Sequence, residues 1–344
     1  MTANTSNGVG SDEVIEQFLS QAVQGDARGG TRFVLDLLDR GVPGGQVIVE
    51  VLGAAQRRVG ERWVANAYAV ADEHVVSGVV QRALDAIADA LDEPPPAQGL
   101  VAVACAEGEW HSLPAQMFAE LLRLRGFTVT FLGASTPVEH VARLLTRHSP
   151  DAVAISCQLP LHFPGVTRLA EAAHAHGIPV LAGGRALSHH PTRARRLGAD
   201  ACPADIDAAD AVLRAWQHDK PTARDPWMPD SAVGTLDLEA PSIAAEAFDT
   251  LLTTYPSVSD YTDAQLARTR EDLAYITRFV AAANLVGDPS VLTDALHWLL
   301  TLLSVRGVPA NAVHAGLAAL APIIDRTHPP SGELTRTALQ SLPG

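Results

Sequence analysis

Strand-like stretches near 100–105, 127–132, 152–156, 179–182 and 200–202 alternate with stretches of helical spacing near 113–125, 137–147, 164–176, 190–197 and 205–218. This alternation constrains the fold more than any other feature. Parallel strands need a crossover, and a crossover helix must cover a face of the sheet it leaves. The pattern predicts an α/β domain over 97–219, doubly wound and flavodoxin-like (Rossmann-type), with a five-stranded parallel sheet.

The flanking regions read differently. Residues 1–10 are rich in Gly, Ser, Thr and Asn and predict a disordered tail. Helical spacing then recurs over 12–23, 29–39, 44–63 and 69–90, a four-helix bundle spanning 11–93. Pro94-Pro95-Pro96 closes it, since no helix continues through three prolines. Pro221, Pro226, Pro229 and Pro241, with several aspartates, predict an interdomain linker over 220–242. Beyond it, 243–252, 263–285, 289–306 and 309–324 read as helices with no strand between them, a separate all-α domain over 243–344.

Composition narrows the partners. The formal charge of −14 argues against nucleic acid or an anionic membrane, where Lys and Arg on phosphate dominate. Cys105, Cys157 and Cys202 have no metal-like spacing and fit a reducing compartment. The chain shows no basic-then-apolar leader and no apolar run of about 18 residues. A cytoplasmic protein is expected.

In a doubly wound sheet the ligand sits beyond the carboxyl ends of the strands. Glu109-Trp110-His111 follows the first strand, so His111 is placed to coordinate a metal in that crevice. An imidazole that binds metal usually gives its other N–H to a carboxylate or carbonyl, and Glu109 is placed to accept it. By themselves the two residues also suit the polar surface of an exposed loop. The pattern resembles the Asp/Glu-x-His-x-x-Gly signature of cobalamin-binding domains, with Pro114 where that signature has glycine. The resemblance implies that His111 replaces the cofactor's own dimethylbenzimidazole as the lower axial ligand of cobalt. It also implies that the displaced nucleotide tail runs between strands past Ser156, Leu159, Gly183 and Gly184. Here the first pair reads Ser156-Cys157-Gln158-Leu159, one residue longer than the family's Ser-x-Leu.

Trp63 precedes Glu73-His74 with nine residues between them. This spacing resembles the bundle of light-responsive cobalamin regulators, in which the Trp packs against the upper axial group. An indole is a flat apolar wall, and Glu and His can bond the polar parts of an adenosyl ligand. Each also has a plainer reading, Trp63 as bundle core and Glu73-His74 as a solvated helix face. In those regulators a histidine follows the Trp and captures cobalt after photolysis. Here that residue is Val64, which cannot bind metal.

The segment Arg270-Glu271-Asp272-Leu273-Ala274-Tyr275-Ile276-Thr277-Arg278-Phe279 resembles the chromophore helix of phycobiliproteins, and Val286-Gly287-Asp288 falls at that family's helix-ending Gly-Asp. The resemblance implies a globin/phycobiliprotein-like domain in which Asp272 accepts the pyrrole N–H groups of a bilin. Arg268, Asp272, Tyr275 and Phe279 share one helical face; Arg270 is the nearest equivalent of the family's arginine, displaced by one residue, and Arg278 completes the expected bilin contacts. Thr269 stands where the family has its attachment cysteine, so a bilin is expected to be held without a thioether. Tyr275 and Phe279 equally suit a helical core.

Together these parts resemble the photocobilins, bacterial photoreceptors carrying cobalamin and biliverdin. The resemblance implies a light sensor rather than an enzyme. Its cofactors are adenosylcobalamin and a bilin, and its partners a homo-oligomer, a dimer by preference, and a downstream signalling protein. The alternative is a corrinoid methyl-carrier protein of a methyltransferase system, which explains Trp63, Glu109 and His111 equally well and leaves 243–344 without a role.

Overall fold

The computed structural model describes residues 8–91, 98–187, 190–222 and 233–342. The three consecutive prolines, residues 1–7 of the tail, and Pro226 and Pro229 of the expected linker lie outside the described residues.

The N-terminal region is helical: α1 (Asp12–Ala22), α2 (Ala27–Asp39), α3 (Gly44–Gln46), α4 (Gly53–Val64) and α5 (Val70–Ala90). Local chemistry sets the starts. Ser11 caps α1 ahead of Asp12 and Glu13, and Asp26 accepts from Gly29 N at 2.8 Å to cap α2. Between α3 and α4 the chain passes through a π-helical stretch, Val47–Leu52, where the spacing predicts one unbroken helix. Val47, Ile48, Val51 and Leu52 are all buried there. A wider turn shifts the face of everything after it, including Trp63.

Four strands, β1 (Leu100–Cys105), β2 (Thr128–Phe131), β3 (Ala152–Ser156) and β4 (Val180–Gly183), form a parallel sheet in the order β2-β1-β3-β4. The expected fifth strand is not one. Ala201 makes a single parallel bridge to Leu181. Pro203 lacks the N–H that would continue a ladder, and the Asp200 carboxylate takes the Val180 N–H.

Side chains alternate between two covered faces. Val101, Val103, Cys105, Ala152 and Ala154 pack with α6 (Leu113–Leu124) and α10 (Ile206–Trp216). Ala102, Ala104, Val153 and Ile155 face α7 (Val138–His148), α8 (Phe163–His174) and the α9 region (Pro191–Arg196). Helix α6 is apolar on two sides: Ala115, Ala119 and Leu122 meet the sheet, while Met117, Leu113, Leu121 and Leu124 join the bundle core. The bundle therefore sits over the helix that begins directly after His111.

The C-terminal region is helical throughout its described residues: α11 (Val233–Thr254), α12 (Asp263–Leu285), α13 (Ser290–Ser304), α14 (Ala310–Thr327) and α15 (Pro329–Ser341). Helix α15 adds a fifth helix to the four that the spacing predicts. The linker expected over 220–242 is corrected here: α11 already runs from Val233 and Pro241 lies inside it. An interior proline costs about 3 kcal/mol. Leu236, Ala240, Ile243, Ala244, Ala247, Phe248 and Leu251 are buried on one stripe of that helix, at about 1.5–3 kcal/mol for each large side chain, so burial wins. Nor are these helices detached from the sheet domain. Leu236, Ile243, Phe248, Leu273 and Val280 form one continuous core with Phe163, Val166 and Val180.

Two arginines fasten this junction. Arg193 Nε donates to Asp288 Oδ2 at 2.7 Å and its Nη2 to Ser290 Oγ at 2.7 Å, and Arg196 donates to the Val286 carbonyl. Among the described residues no helix is long and apolar enough to cross a membrane.

Candidate functional site

Register brings the site together. Cys105 pairs with Ser156, and Ser156 with Gly183, so the three strand ends lie side by side. The loop after β1 carries Glu109 and His111, the loop after β3 carries Leu159, and Gly184 follows β4. This is the crevice at the topological switch point, between β1 and β3.

Glu109 is fully buried. Its Oε1 accepts from His111 N at 3.0 Å and from His111 Nδ1 at 2.6 Å. Its Oε2 accepts from the Gln158 and Leu159 N–H groups at 2.8 and 3.1 Å. Burial alone would raise this carboxyl, but the bonds from His111 and Gln158 outweigh it and hold the pKa down at about 2. The ionised carboxylate only accepts, so Nδ1 of His111 carries the proton and Nε2 is left with its lone pair. The Glu109 hydrogen bond raises the His111 pKa, with the charges of Glu109 and Glu73 adding to it. Glu73, on α5, is thus close enough to be felt across the cleft.

Pro114 lies in the first turn of α6, where its missing N–H breaks no helical bond, so it replaces the signature glycine without disturbing the ligand pair. Trp110 is 76% exposed between the two site residues.

The strand-end slot has room on one side and none on the other. A Cβ on Gly183 would meet nothing within 4 Å, whereas one on Gly184, at φ +101°, would come within 2.3 Å of the Cys157 carbonyl. Gly184 therefore shapes the turn, and Gly183 leaves space beside Ser156. The buried thiols of Cys105 and Cys157 are pushed up by burial and by Glu109, Cys105 to about 12, which leaves them protonated and poor ligands.

Several contributors carried no sequence signal. Ser135, in the left-handed region at φ 43°, accepts from Gly108 N and donates its own N–H to the Glu109 carbonyl. His162 stands over Gly108 in a short 3-10 turn, Pro160–His162, with its pKa lowered by burial and with His111 and Arg278 among the charges it feels. Both come from segments distant in sequence, which only the fold places.

On the bundle side, Glu73 accepts from Ser77 Oγ at 3.2 Å and stands 3.5 Å from His74 Nε2, while the His74 side chain is 74% exposed. Trp63 is half-buried and stacks on Trp298 of α13, ring centroids 6.1 Å apart. Trp298 itself is 38% exposed.

The bilin candidates are dispersed along α12. Asp272 has no hydrogen-bond partner among the described residues, and burial raises its pKa to about 6. Arg268 pairs with Glu271, Arg270 lies over the Phe248 ring, and Arg278 stands 3.7 Å from Asp237 with its Nε buried and unbonded. Tyr275 is 45% exposed, and Phe279 packs against the shared core. Arg268 and Arg270 are therefore engaged locally, and neither is bonded to Asp272.

Two stretches of the chain match models of B12-binding domains. Residues 99–213 match the family model described as the B12 binding domain, and residues 14–88 match a second model of that description. The HTH-type transcriptional repressor CarH of Myxococcus xanthus is 32% identical over 168 residues, 48% of this chain and 55% of the repressor. The repressor CarA of the same organism is 33% identical over 133 residues, 38% of this chain and 46% of CarA. The chain spans about half the length of these curated relatives. The monomethylamine corrinoid protein of Methanosarcina barkeri superposes with a TM-score of 0.52 at 19% identity, covering 59% of this chain and 98% of that one, which shows a shared fold.

Proposed function

We propose that this protein is a light sensor that binds adenosylcobalamin base-off through His111 and a bilin such as biliverdin without a covalent bond. The observation that carries the first part is the Glu109–His111 pair: Nδ1 is spent on a buried carboxylate, and Nε2 is the one imidazole nitrogen left to hold cobalt. The open space at Gly183 beside Ser156 suits a nucleotide tail. When bound, adenosylcobalamin supplies a cobalt–carbon bond that visible light can break.

The protein's part is to hold and then release. Trp63, Glu73 and His74 lie on the bundle, and His111 on the loop leading into α6, so an upper group held between them ties bundle to sheet domain. Loss of that group removes contacts in one state only, which is the differential interaction a switch needs. Val64 offers no lone pair, so a second histidine does not replace the lost group from that position.

Asp272 supports the bilin part: a half-buried carboxyl with no hydrogen-bond partner among the described residues has the acceptor capacity that pyrrole N–H groups require. The change in packing is proposed to act on a protein partner through a homo-oligomer.

The test is to purify the protein in darkness with adenosylcobalamin and biliverdin and record spectra before and after green light. A light-driven change that His111→Ala abolishes is expected. A light-inert cobalamin that a methyltransferase can instead methylate would overturn the sensor reading in favour of a corrinoid methyl carrier.

A further inference from the structure

Trp63 is held by the C-terminal helices at three points. Its indole stacks on Trp298 at 6.1 Å with the planes 28° apart, and the Arg306 guanidinium lies 5.1 Å from its ring centroid. Arg306 Nη2 also donates to the Trp63 carbonyl at 3.0 Å. That carbonyl lies in the last turn of α4 and also accepts from Asn66 N at 3.0 Å, and a cation there meets the negative end of the helix dipole. The same arginine gives Nη1 to the Leu302 carbonyl at 2.9 Å, so its position is fixed by α13.

The helices that hold Trp63 are themselves fixed to the sheet domain. Arg193–Asp288 and the continuous core join α12 and α13 to the α8 and α9 side of the sheet, the body that carries His111. The distance between the lower ligand and the upper wall is therefore set through two routes. One is the bundle resting on α6; the other runs through the C-terminal helices to Trp63.

We propose that Trp298 and Arg306 are positioning residues for the upper face of the cobalamin site, setting Trp63 to accept a cobalamin with a bulky nucleoside as its upper group over one with a small upper ligand. This rests on the reading of Trp63 as the upper wall. A free indole at a helix end samples several rotamers, and one held by a stacked ring and a guanidinium is fixed in one. Nucleoside packing depends on that rotamer, and a hydroxo ligand does not reach the indole.

The full chain is titrated in darkness with adenosylcobalamin and with hydroxocobalamin, as wild type, Trp63→Ala, Trp298→Ala, Trp298→Phe and Arg306→Met. Trp298→Ala and Arg306→Met are expected to weaken adenosylcobalamin roughly tenfold while hydroxocobalamin stays within about twofold. Trp298→Phe, which keeps a stacking ring, is expected to recover most of the loss. Unchanged hydroxocobalamin binding shows that each variant is folded. Equal losses for both ligands, or no loss for either, overturn the proposal. If Trp63→Ala shifts the ratio and Trp298→Ala does not, the positioning role falls while the upper-wall reading stands. If Trp63→Ala leaves the ratio unchanged, both fall.

Discussion

Oε1 of Glu109 lies 2.6 Å from Nδ1 of His111, and the other oxygen of the same carboxylate holds the backbone of Gln158 and Leu159, 49 and 50 residues later. One side chain thus orients the candidate ligand and closes the β1 loop onto the β3 loop. Glu109→Gln keeps the shape but turns an amide NH2 toward donors. A loss of about 2–3 kcal/mol in unfolding free energy is expected at pH 7, with cobalamin affinity down roughly 10-fold to 100-fold. The group's folded pKa is depressed to about 2, so its contribution is full above 4.5 and is lost as pH falls from 4.5 toward 2. Denaturation curves at pH 7 and pH 3 check this: the gap between wild type and variant must narrow at the lower pH.

On the proposed reading, the affinity of His111 for cobalt is expected to have the opposite dependence. Glu109 raises its pKa above the ordinary 6.5, and protonated Nε2 cannot bind metal. Cobalamin affinity is expected to weaken as pH falls through that raised value, and the midpoint is expected to move down in Glu109→Gln. Titrations across pH 5 to 8, read by the base-off absorption spectrum, separate the two proteins; coincident profiles would contradict the coupling.

The two adjacent glycines should behave differently. Gly184→Ala places a methyl 2.3 Å from the Cys157 carbonyl at φ +101° and is expected to cost roughly 3 kcal/mol or more. Gly183→Val meets open space, so the protein should fold with little change while the slot is filled. Comparing cobalamin with cobinamide, which lacks the nucleotide tail, gives the readout. Only cobalamin should lose affinity in Gly183→Val, and equal loss for both would place the tail elsewhere.

Asp272 titrates at about 6, raised mainly by burial, with the like charge of Glu271 adding to it and Arg268 opposing it. A carboxyl whose folded pKa is raised destabilises the native state once ionised, so stability should fall as pH rises from 3.8 to about 6. In the bilin-free protein, Asp272→Asn is expected to raise the melting temperature at pH 7.5 and leave it unchanged at pH 4. With biliverdin present the same variant is expected to lose the long-wavelength band while the corrin band persists.

Arg193 is buried and bonded to Asp288 and Ser290 across the junction between the sheet domain and the C-terminal helices. Arg193→Met leaves Asp288 without its partner and should cost about 3 kcal/mol. Asp288→Asn alone should cost less, since that side chain keeps its Ser290 bonds and is 30% exposed. A double-mutant cycle by urea denaturation gives the coupling, which should exceed about 1 kcal/mol.

The strands and helices of the sheet domain were legible because their signals are local. Leu100–Cys105 is apolar at every position, and β3 is apolar up to its closing Ser156, because both faces are covered. The strand expected at 200–202 reduces to one bridge, because Pro203 and the side chain of Asp200 act on the ladder itself. Pro241 misled in the other direction: a proline reads as a break, yet the buried stripe from Leu236 to Leu251 carries α11 through it.

What the amino-acid order determined by itself is whatever depends on neighbours within one turn or one strand: the alternation behind the sheet, the Glu109–His111 spacing, the glycine pair at the end of β4 and the apolar stripes of the bundle. Tertiary structure alone decided that Glu109 reaches Gln158, that Ser135 and His162 brace the same loop, and that Trp63 meets Trp298 and Arg306, 243 residues from its own carbonyl. The physical reason is that hydrogen bonds and ring contacts act over a few ångströms of space. Separation along the chain says nothing about that space until a packed core has closed it.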